Sequence, residues 1–368
     1  MNPILEAQRL GQAMWLDYIS RGLLKSGEFQ RLVDQGISGV TSNPTILEKA
    51  ILGSNDYDEA LLALAKTKKS LEETYEVLAM EDICVAADLL RPTYDRSGGV
   101  DGYVSLEVSP SLAYETEDTI KEAKRLFAAL DRPNVMIKVP ATPEGIPAIR
   151  RLVGEGININ ATLIFSLDNY QQVREAYVAG VEELVRNGGD ASRVASVASF
   201  FLSRIDTAVD ALLTERIRRG EQPLETLLGK AAMGSAKLAY QAFKETFHSE
   251  RFAVLKAKGV RVQRPLWAST GTKNPAYSDL LYVEPLIGPD TVNTMPPATI
   301  TAFLEHGHAE ATLERNVAEA AQTLATLETA GISMEAVTTK LLADGVKAFA
   351  DSFEKLLAGI QEKKRRLV

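Results

Sequence analysis

With 368 residues, 45% of them hydrophobic and 24% charged, the chain is long enough to bury a large core as one big domain or two ordinary ones. A net charge of -8 and a pI near 5.2 disfavour a nucleic-acid surface, which needs clustered Lys and Arg to release counterions. The single cysteine, Cys84, excludes an internal disulfide, Met1 to Leu10 lacks a secretory layout, and no apolar run approaches the roughly 20 residues of a membrane-spanning helix. A soluble, cytoplasmic protein with no membrane partner is the expectation.

Short apolar stretches alternate with longer amphipathic ones, the pattern of an α/β protein. In chain order the predicted strands are Ala13 to Ile19, Gly36 to Thr41, Tyr103 to Val108 and Val135 to Val139. They continue with Ile157 to Leu163, Val194 to Phe200, Arg264 to Ala268 and Thr291 to Met295. Eight strands predict a closed (β/α)8 TIM barrel, with residues 1–368 as a single domain because no linker, low-complexity tract or repeat divides the chain. Two additions look helical: Tyr57 to Met80, between the second and third strands, and Glu335 to Lys364, opened by the cap candidate Ser333. An open doubly wound sheet is the structural alternative. It would ordinarily place a glycine-rich phosphate turn after the first strand, whereas Trp15-Leu-Asp-Tyr-Ile19 runs into Ser20-Arg-Gly22. The basic tail Lys363, Lys364, Arg365 and Arg366 reads as a solvated helix end complementing the helix dipole.

Polar residues inside these strands mark a candidate site, since alternate strand residues face a barrel interior and active sites form at the C-terminal strand ends. Asn158, Asn160 and Thr162 alternate with aliphatic or small residues and so share one face. Asp17 sits in the first strand and Glu107 ends the third; burying either carboxylate costs energy unless it is paired. Lys138 lies between Ile137 and Val139 in the fourth. A strand lysine is ordinarily an edge or surface residue, but inside a barrel desolvation favours the neutral amine, which attacks carbonyls to form a Schiff base. That chemistry needs carboxyl groups to move protons, and Glu107 and Asp17 are the candidates. Ser199 to Arg204 after the sixth strand, and Ser269-Thr-Gly-Thr-Lys273 after the seventh, offer hydroxyls, backbone N–H groups and cations to a phosphate. Taken alone, the latter is more often a flexible surface turn. A metal site is disfavoured: His306-Gly-His308 supplies two imidazoles and the only other histidine is His248. Neither Cys84 nor any serine has an evident histidine partner for a nucleophilic triad.

These residues resemble transaldolase from Asp17 to about His306. Thr41-Ser-Asn-Pro-Thr45 resembles the family's second-strand signature, and Asn158-Ile-Asn-Ala-Thr-Leu-Ile-Phe165 its fifth-strand signature. The resemblance implies a (β/α)8 barrel without metal or organic cofactor. It further implies transfer of a dihydroxyacetone unit between sugar phosphates: from sedoheptulose 7-phosphate to glyceraldehyde 3-phosphate, giving erythrose 4-phosphate and fructose 6-phosphate in the pentose phosphate pathway. Carried over by position, it makes Lys138 the Schiff-base lysine, Asp17 the acid/base, and Glu107 with Thr162 the holders of a catalytic water. Asn43, Asn160 and Ser199 would bind sugar hydroxyls, and Arg204 and Ser269 the phosphate. Better-known branches carry an arginine two residues after the serine matching Ser269; here that position is Gly271, and Lys273 is the replacement candidate. The Ser-Thr-Gly-Thr-Lys-Asn form resembles the bacterial branch that includes mycobacterial and cyanobacterial members. A homodimer is the oligomer considered, without a sequence feature that settles it.

Two rival readings remain at this point. An aldolase would use the same imine but release free dihydroxyacetone; related fructose 6-phosphate aldolases resemble this chain with a tyrosine near Phe201, so phenylalanine points to transfer. A non-catalytic sugar-phosphate-binding protein would bind saturably with no turnover and no reducible imine.

Overall fold

The computed structural model describes residues 2–220 and 224–367. The predicted strands all form: β1 (Gln12–Leu16), β2 (Gly39–Thr41), β3 (Tyr103–Glu107), β4 (Val135–Pro140), β5 (Ile159–Ile164), β6 (Ser196–Phe201), β7 (Gln263–Ala268) and β8 (Thr291–Met295). They pair in parallel, in sequence order, and β8 returns to β1 to close the barrel. Closure removes sheet edges, and helices cover the outside, so every strand residue is buried. The strand ends differ from the expected ones by up to three residues. β1 stops at Leu16, so Asp17 stands just beyond its C-terminal end, at the mouth where barrel chemistry occurs. The expected stretch Gly36 to Thr41 contracts to the three residues of β2, because Gly36 is the left-handed turn that enters it, at φ 112°.

The opposite end of the barrel is plugged. Trp15 lies against Gly39, where an added Cβ would come within 2.4 Å of the indole. Its indole N–H donates to Asp101 at 2.8 Å, and the Arg264 guanidinium lies 5.8 Å from its ring. The interior is therefore a filled core open to chemistry at one end.

The helical insertion after β2 starts earlier and is more divided than the sequence suggested. Helices Pro44–Gly53, Asp58–Ala65 and Leu71–Arg96 replace the single stretch Tyr57 to Met80. Ser70 and Glu73 form a reciprocal capping box that starts the third of them, which is why the chain breaks before Leu71. The C-terminal helix spans Met334–Leu367, about 50 Å at 1.5 Å per residue, and the Ser333 hydroxyl caps it by accepting from Ala336 N–H. It packs across the Pro44–Gly53 and Asp58–Ala65 helices.

The tail is not simply a solvated end. Lys363 Nζ donates to the Ile51 and Ser54 carbonyls and pairs with Asp58 at 2.9 Å, while Lys364 reaches the Thr74 hydroxyl at 3.4 Å. Lys363 thus satisfies carbonyls at the end of the Pro44–Gly53 helix, neutralising another helix's dipole rather than its own. Periodicity could not show this, because the partner lies some 300 positions away in the chain. Among the described residues no helix is long and apolar enough to cross a membrane.

Candidate active site

Barrel register brings the central groups together. Glu107, Lys138 and Asn160 are direct neighbours across β3, β4 and β5, so their side chains share the inner face. Lys138 is 4% exposed. Its Nζ donates to the Ser42 carbonyl at 2.9 Å and forms an ion pair with Glu107 Oε2 at 3.1 Å. The second contact lies outside hydrogen-bond geometry, so Glu107 Oε2 is held by charge and retains accepting capacity. Thr162 Oγ1, one strand beyond Lys138, is likewise buried without a partner. Burial pushes the Glu107 carboxyl above the usual range, opposed by the positive charges of Lys138 and Arg204.

Asp17 approaches from β1. Its carboxylate accepts from the Thr41 hydroxyl at 2.6 Å, and Thr41 in turn lies 2.8 Å from the Thr294 hydroxyl on β8. Three strands therefore hold one carboxyl group. Asp17 keeps partial solvent access, yet desolvation still raises its pKa above the ordinary value; the Thr41 hydrogen bond and the cations Lys138, Arg204 and Lys273 pull the other way. A carboxyl in this balance changes protonation closer to neutrality than a free aspartate, as a proton-transfer group requires.

The polar face of β5 points inward as expected, with two distinct uses. Asn160 donates to Ser105 Oγ at 3.0 Å and accepts from Ser199 Oγ at 2.7 Å, fixing the floor of the site. Asn158, nearer the far end, donates to the Pro133 and Val135 carbonyls and accepts from Ala195 N–H, a tie between strands. Beyond Asn160 the register with β6 shifts between Ala161 and Ile164, and Leu163 adopts φ 60°. This irregularity re-aims the strand end that carries Thr162, next to the reactive groups. Asn43 caps the Pro44–Gly53 helix, its side-chain oxygen accepting from Ile46 N–H at 2.9 Å. Its amide hydrogens make no hydrogen bond among the described residues.

At the far end, Arg204 stands in the first turn of the Ser203–Arg218 helix. Its guanidinium lies 5.2 Å from the Phe201 ring and 5.8 Å from the Phe349 ring, and no hydrogen bond or ion pair engages it among the described residues. Burial lowers its pKa, while Asp17 and Glu107 oppose that. Ser269 adopts φ 55°, a left-handed conformation uncommon outside glycine, and its hydroxyl lies 2.8 Å from that of Ser203. Lys273 is exposed, and its amine comes within 3.9 Å of where a Gly271 side chain would begin. The structure thus gathers Lys138, Glu107, Asp17, Thr162, Asn160 and Ser199 at the barrel mouth, with Arg204, Ser269 and Lys273 on its β6–β7 side and Asn43 on its β2 side.

Sequence reasoning passed over Thr41, Ser42, Ser105 and Phe349. The first two lie within the quoted Thr41–Thr45 segment and could have been singled out. Ser105 alternates with Glu107 on β3 and carried a periodicity signal. Phe349 lies in the C-terminal helix, and nothing local distinguishes it from a core aromatic. Neither His306 nor His308 is near these groups; they contact Asp279 and Glu284, and no cluster of metal-ligating type occurs among the described residues.

The family described as transaldolase/fructose-6-phosphate aldolase matches residues 14–360. A protein named transaldolase from Thiobacillus denitrificans is 48% identical over 98% of this chain and all of its own length. Another from Trichodesmium erythraeum is 44% identical over the whole chain and 98% of its own length, and transaldolase 2 from a Nostoc species is 44% identical over the whole chain and 99% of its own. Near-complete coverage in both directions leaves no large segment outside the likeness, and the chain belongs to the transaldolase/fructose-6-phosphate aldolase family.

Proposed function

We propose that the protein is a transaldolase that moves a dihydroxyacetone unit from sedoheptulose 7-phosphate to glyceraldehyde 3-phosphate through a Schiff base on Lys138, releasing erythrose 4-phosphate and fructose 6-phosphate. The observation that carries the reading is the Lys138 amine, buried at the barrel mouth within 3.1 Å of the Glu107 carboxyl. The amine's lone pair adds to the ketose carbonyl carbon, and loss of that oxygen as water leaves the imine. Glu107 Oε2 and Thr162 Oγ1, both buried with unused capacity, suit a water that carries protons to and from the departing oxygen.

Asp17 takes the proton from the hydroxyl on the donor's fourth carbon. The bond between the third and fourth carbons breaks, its electron pair passes into the protonated imine, and an aldose phosphate leaves. The retained enamine attacks the acceptor aldehyde carbon; the new alkoxide regains a proton from Asp17, and water releases the ketose. Asn43, Asn160 and Ser199 orient hydroxyls, while Arg204, Ser269 and Lys273 hold phosphate. Phe201 at the end of β6 supports transfer over release of free dihydroxyacetone. The same reading takes residues 1–368 as one barrel unit acting on cytoplasmic sugar phosphates; sedimentation would distinguish a homodimer.

The test is incubation with fructose 6-phosphate and borohydride, followed by mass mapping. A three-carbon adduct on Lys138 is expected; Lys138→Ala loses all trapping, whereas Asp17→Ala, its cleavage slowed by about 10²–10⁴, still forms the imine and is trapped on Lys138 mainly as the uncleaved six-carbon adduct. Equal trapping by the lysine variant overturns the assignment of the nucleophile. Product formation without an aldose acceptor overturns transfer.

A further inference from the structure

The C-terminal helix contributes a residue to the site that the eight strands do not. Phe349 is 2% exposed, and its ring centre lies 6.0 Å from Lys138 Nζ and 5.8 Å from Arg204 Cζ. One ring therefore spans the distance between the amine that would carry the substrate's carbonyl carbon and the cation proposed for its phosphate. The approach is close because Gly345, one turn earlier on the same face, has no side chain. A Cβ there would come within 3.1 Å of Leu163 Cδ2 and 3.5 Å of Arg204 Nη1.

This face of the helix is held down along its length. Ser352 lies 2.8 Å from the Thr45 hydroxyl, Phe353 packs edge-on against Tyr75 at 5.2 Å, Lys355 pairs with Glu48, and Lys363 reaches Ile51, Ser54 and Asp58. Thr45 and Glu48 belong to the helix that Asn43 caps, so the roof is fastened to the Asn43 side of the mouth and presses on the Arg204 side.

We infer that Phe349 is a specificity-determining residue: its ring roofs the three-carbon enamine on Lys138 and decides whether that carbon meets an aldehyde or a proton. The inference rests on the Schiff-base reading above. Two fates compete for the enamine. In transfer, its carbon forms a bond to the acceptor carbonyl carbon, and the carbonyl electron pair moves to oxygen, which takes a proton. In release, the same carbon takes a proton from water, and hydrolysis of the resulting iminium frees dihydroxyacetone and the Lys138 amine. Both fates end in imine hydrolysis, so a water beside Glu107 and Thr162 serves either. Only the second requires a proton donor over the nucleophilic carbon, where an aromatic face offers none.

The test uses the full chain with Phe349→Ala and Phe349→Leu. With fructose 6-phosphate as donor and erythrose 4-phosphate as acceptor, free dihydroxyacetone is measured per transfer turnover, alongside borohydride trapping. The alanine variant should raise the release-to-transfer ratio about tenfold or more, and leucine, which restores apolar cover, should return most of it. A Lys138 adduct in both variants shows an intact site. An unchanged ratio accompanied by uniformly slower turnover overturns the inference, as does a leucine variant equal to alanine. Failure of the unaltered protein to form the adduct instead overturns the Schiff-base reading, so the two failures are distinguishable.

Discussion

Lys138→Met tests the central pair through stability as well as chemistry. The substitution keeps the chain length and removes the charge that faces Glu107 at 3.1 Å and the Ser42 carbonyl at 2.9 Å. Burial already pushes the Glu107 carboxyl up, and Lys138 is the first group opposing that push. Without the cation the folded-state pKa rises further, while the unfolded value stays near about 4.3. Between those values the folded variant holds a proton that the unfolded chain has lost. Stability is therefore intact at acid pH and falls as pH rises through the folded pKa, by at most about 1.4 kcal/mol per pH unit. The ceiling is the roughly 3–5 kcal/mol cost of leaving a buried charge without its partner. With an unfolding entropy of about 2.1 cal/mol/K per residue, 368 residues convert that ceiling into a Tm loss of roughly 4–7 °C. Calorimetry of Lys138→Met at pH 5 and pH 8 should show the larger loss at pH 8, and adding Glu107→Gln should recover most of it. A loss equal at both pH values, or no recovery in the double variant, refutes the argument.

Asp206 makes a second pH-dependent contribution. Burial pushes its carboxyl up to about 6, although Ala232 N–H and the Tyr282 hydroxyl both donate to it at 2.8 Å. Its share of stability is full below about 4 and is lost as pH rises through about 6, roughly 3 kcal/mol in all; denaturant titrations should show Asp206→Asn flattening that slope. Arg204→Met should raise KM for phosphorylated donors by about 10–100-fold, the worth of a charge-assisted hydrogen bond, while borohydride trapping of unphosphorylated dihydroxyacetone stays unchanged. Equal losses for both ligands would remove Arg204 from the phosphate subsite. Lys363→Ala should cost about 1–3 kcal/mol by leaving the Ile51 and Ser54 carbonyls and Asp58 unpaired, with faster amide exchange at the end of the C-terminal helix.

How much was legible before folding depended on how far apart the interacting residues lie. All eight strands and the inward alternation of Asn158, Asn160 and Thr162 show in the sequence, because a strand covered on one side and lining a barrel on the other repeats every two residues. Lys138 and Glu107 could be named as candidates for the same reason, a charged group within an apolar run being costly unless paired. The Ser333 cap is equally local, as is the capping box at Ser70, although the expected helix Tyr57 to Met80 ran through it. The insertion's helix breaks were misjudged where cap and turn chemistry prevailed over apolar periodicity.

Other features exist only after the barrel closes. The Thr41 hydroxyl on Asp17, the Ser42 carbonyl on Lys138 and the register that sets Glu107 beside Lys138 join residues from different strands. The shift near Leu163 depends on how β5 meets β6. Phe349 and Lys363 take their roles from a helix that crosses to the other end of the chain's fold, where a ring meets two cations and an amine meets another helix's carbonyls. By itself, the sequence determined which groups are costly to bury and, along β5, which of them share the inner side, because burial of short elements is periodic. Tertiary structure alone decided which of those groups touch and what roofs them, because contact distances and desolvation belong to the closed barrel and not to any one segment.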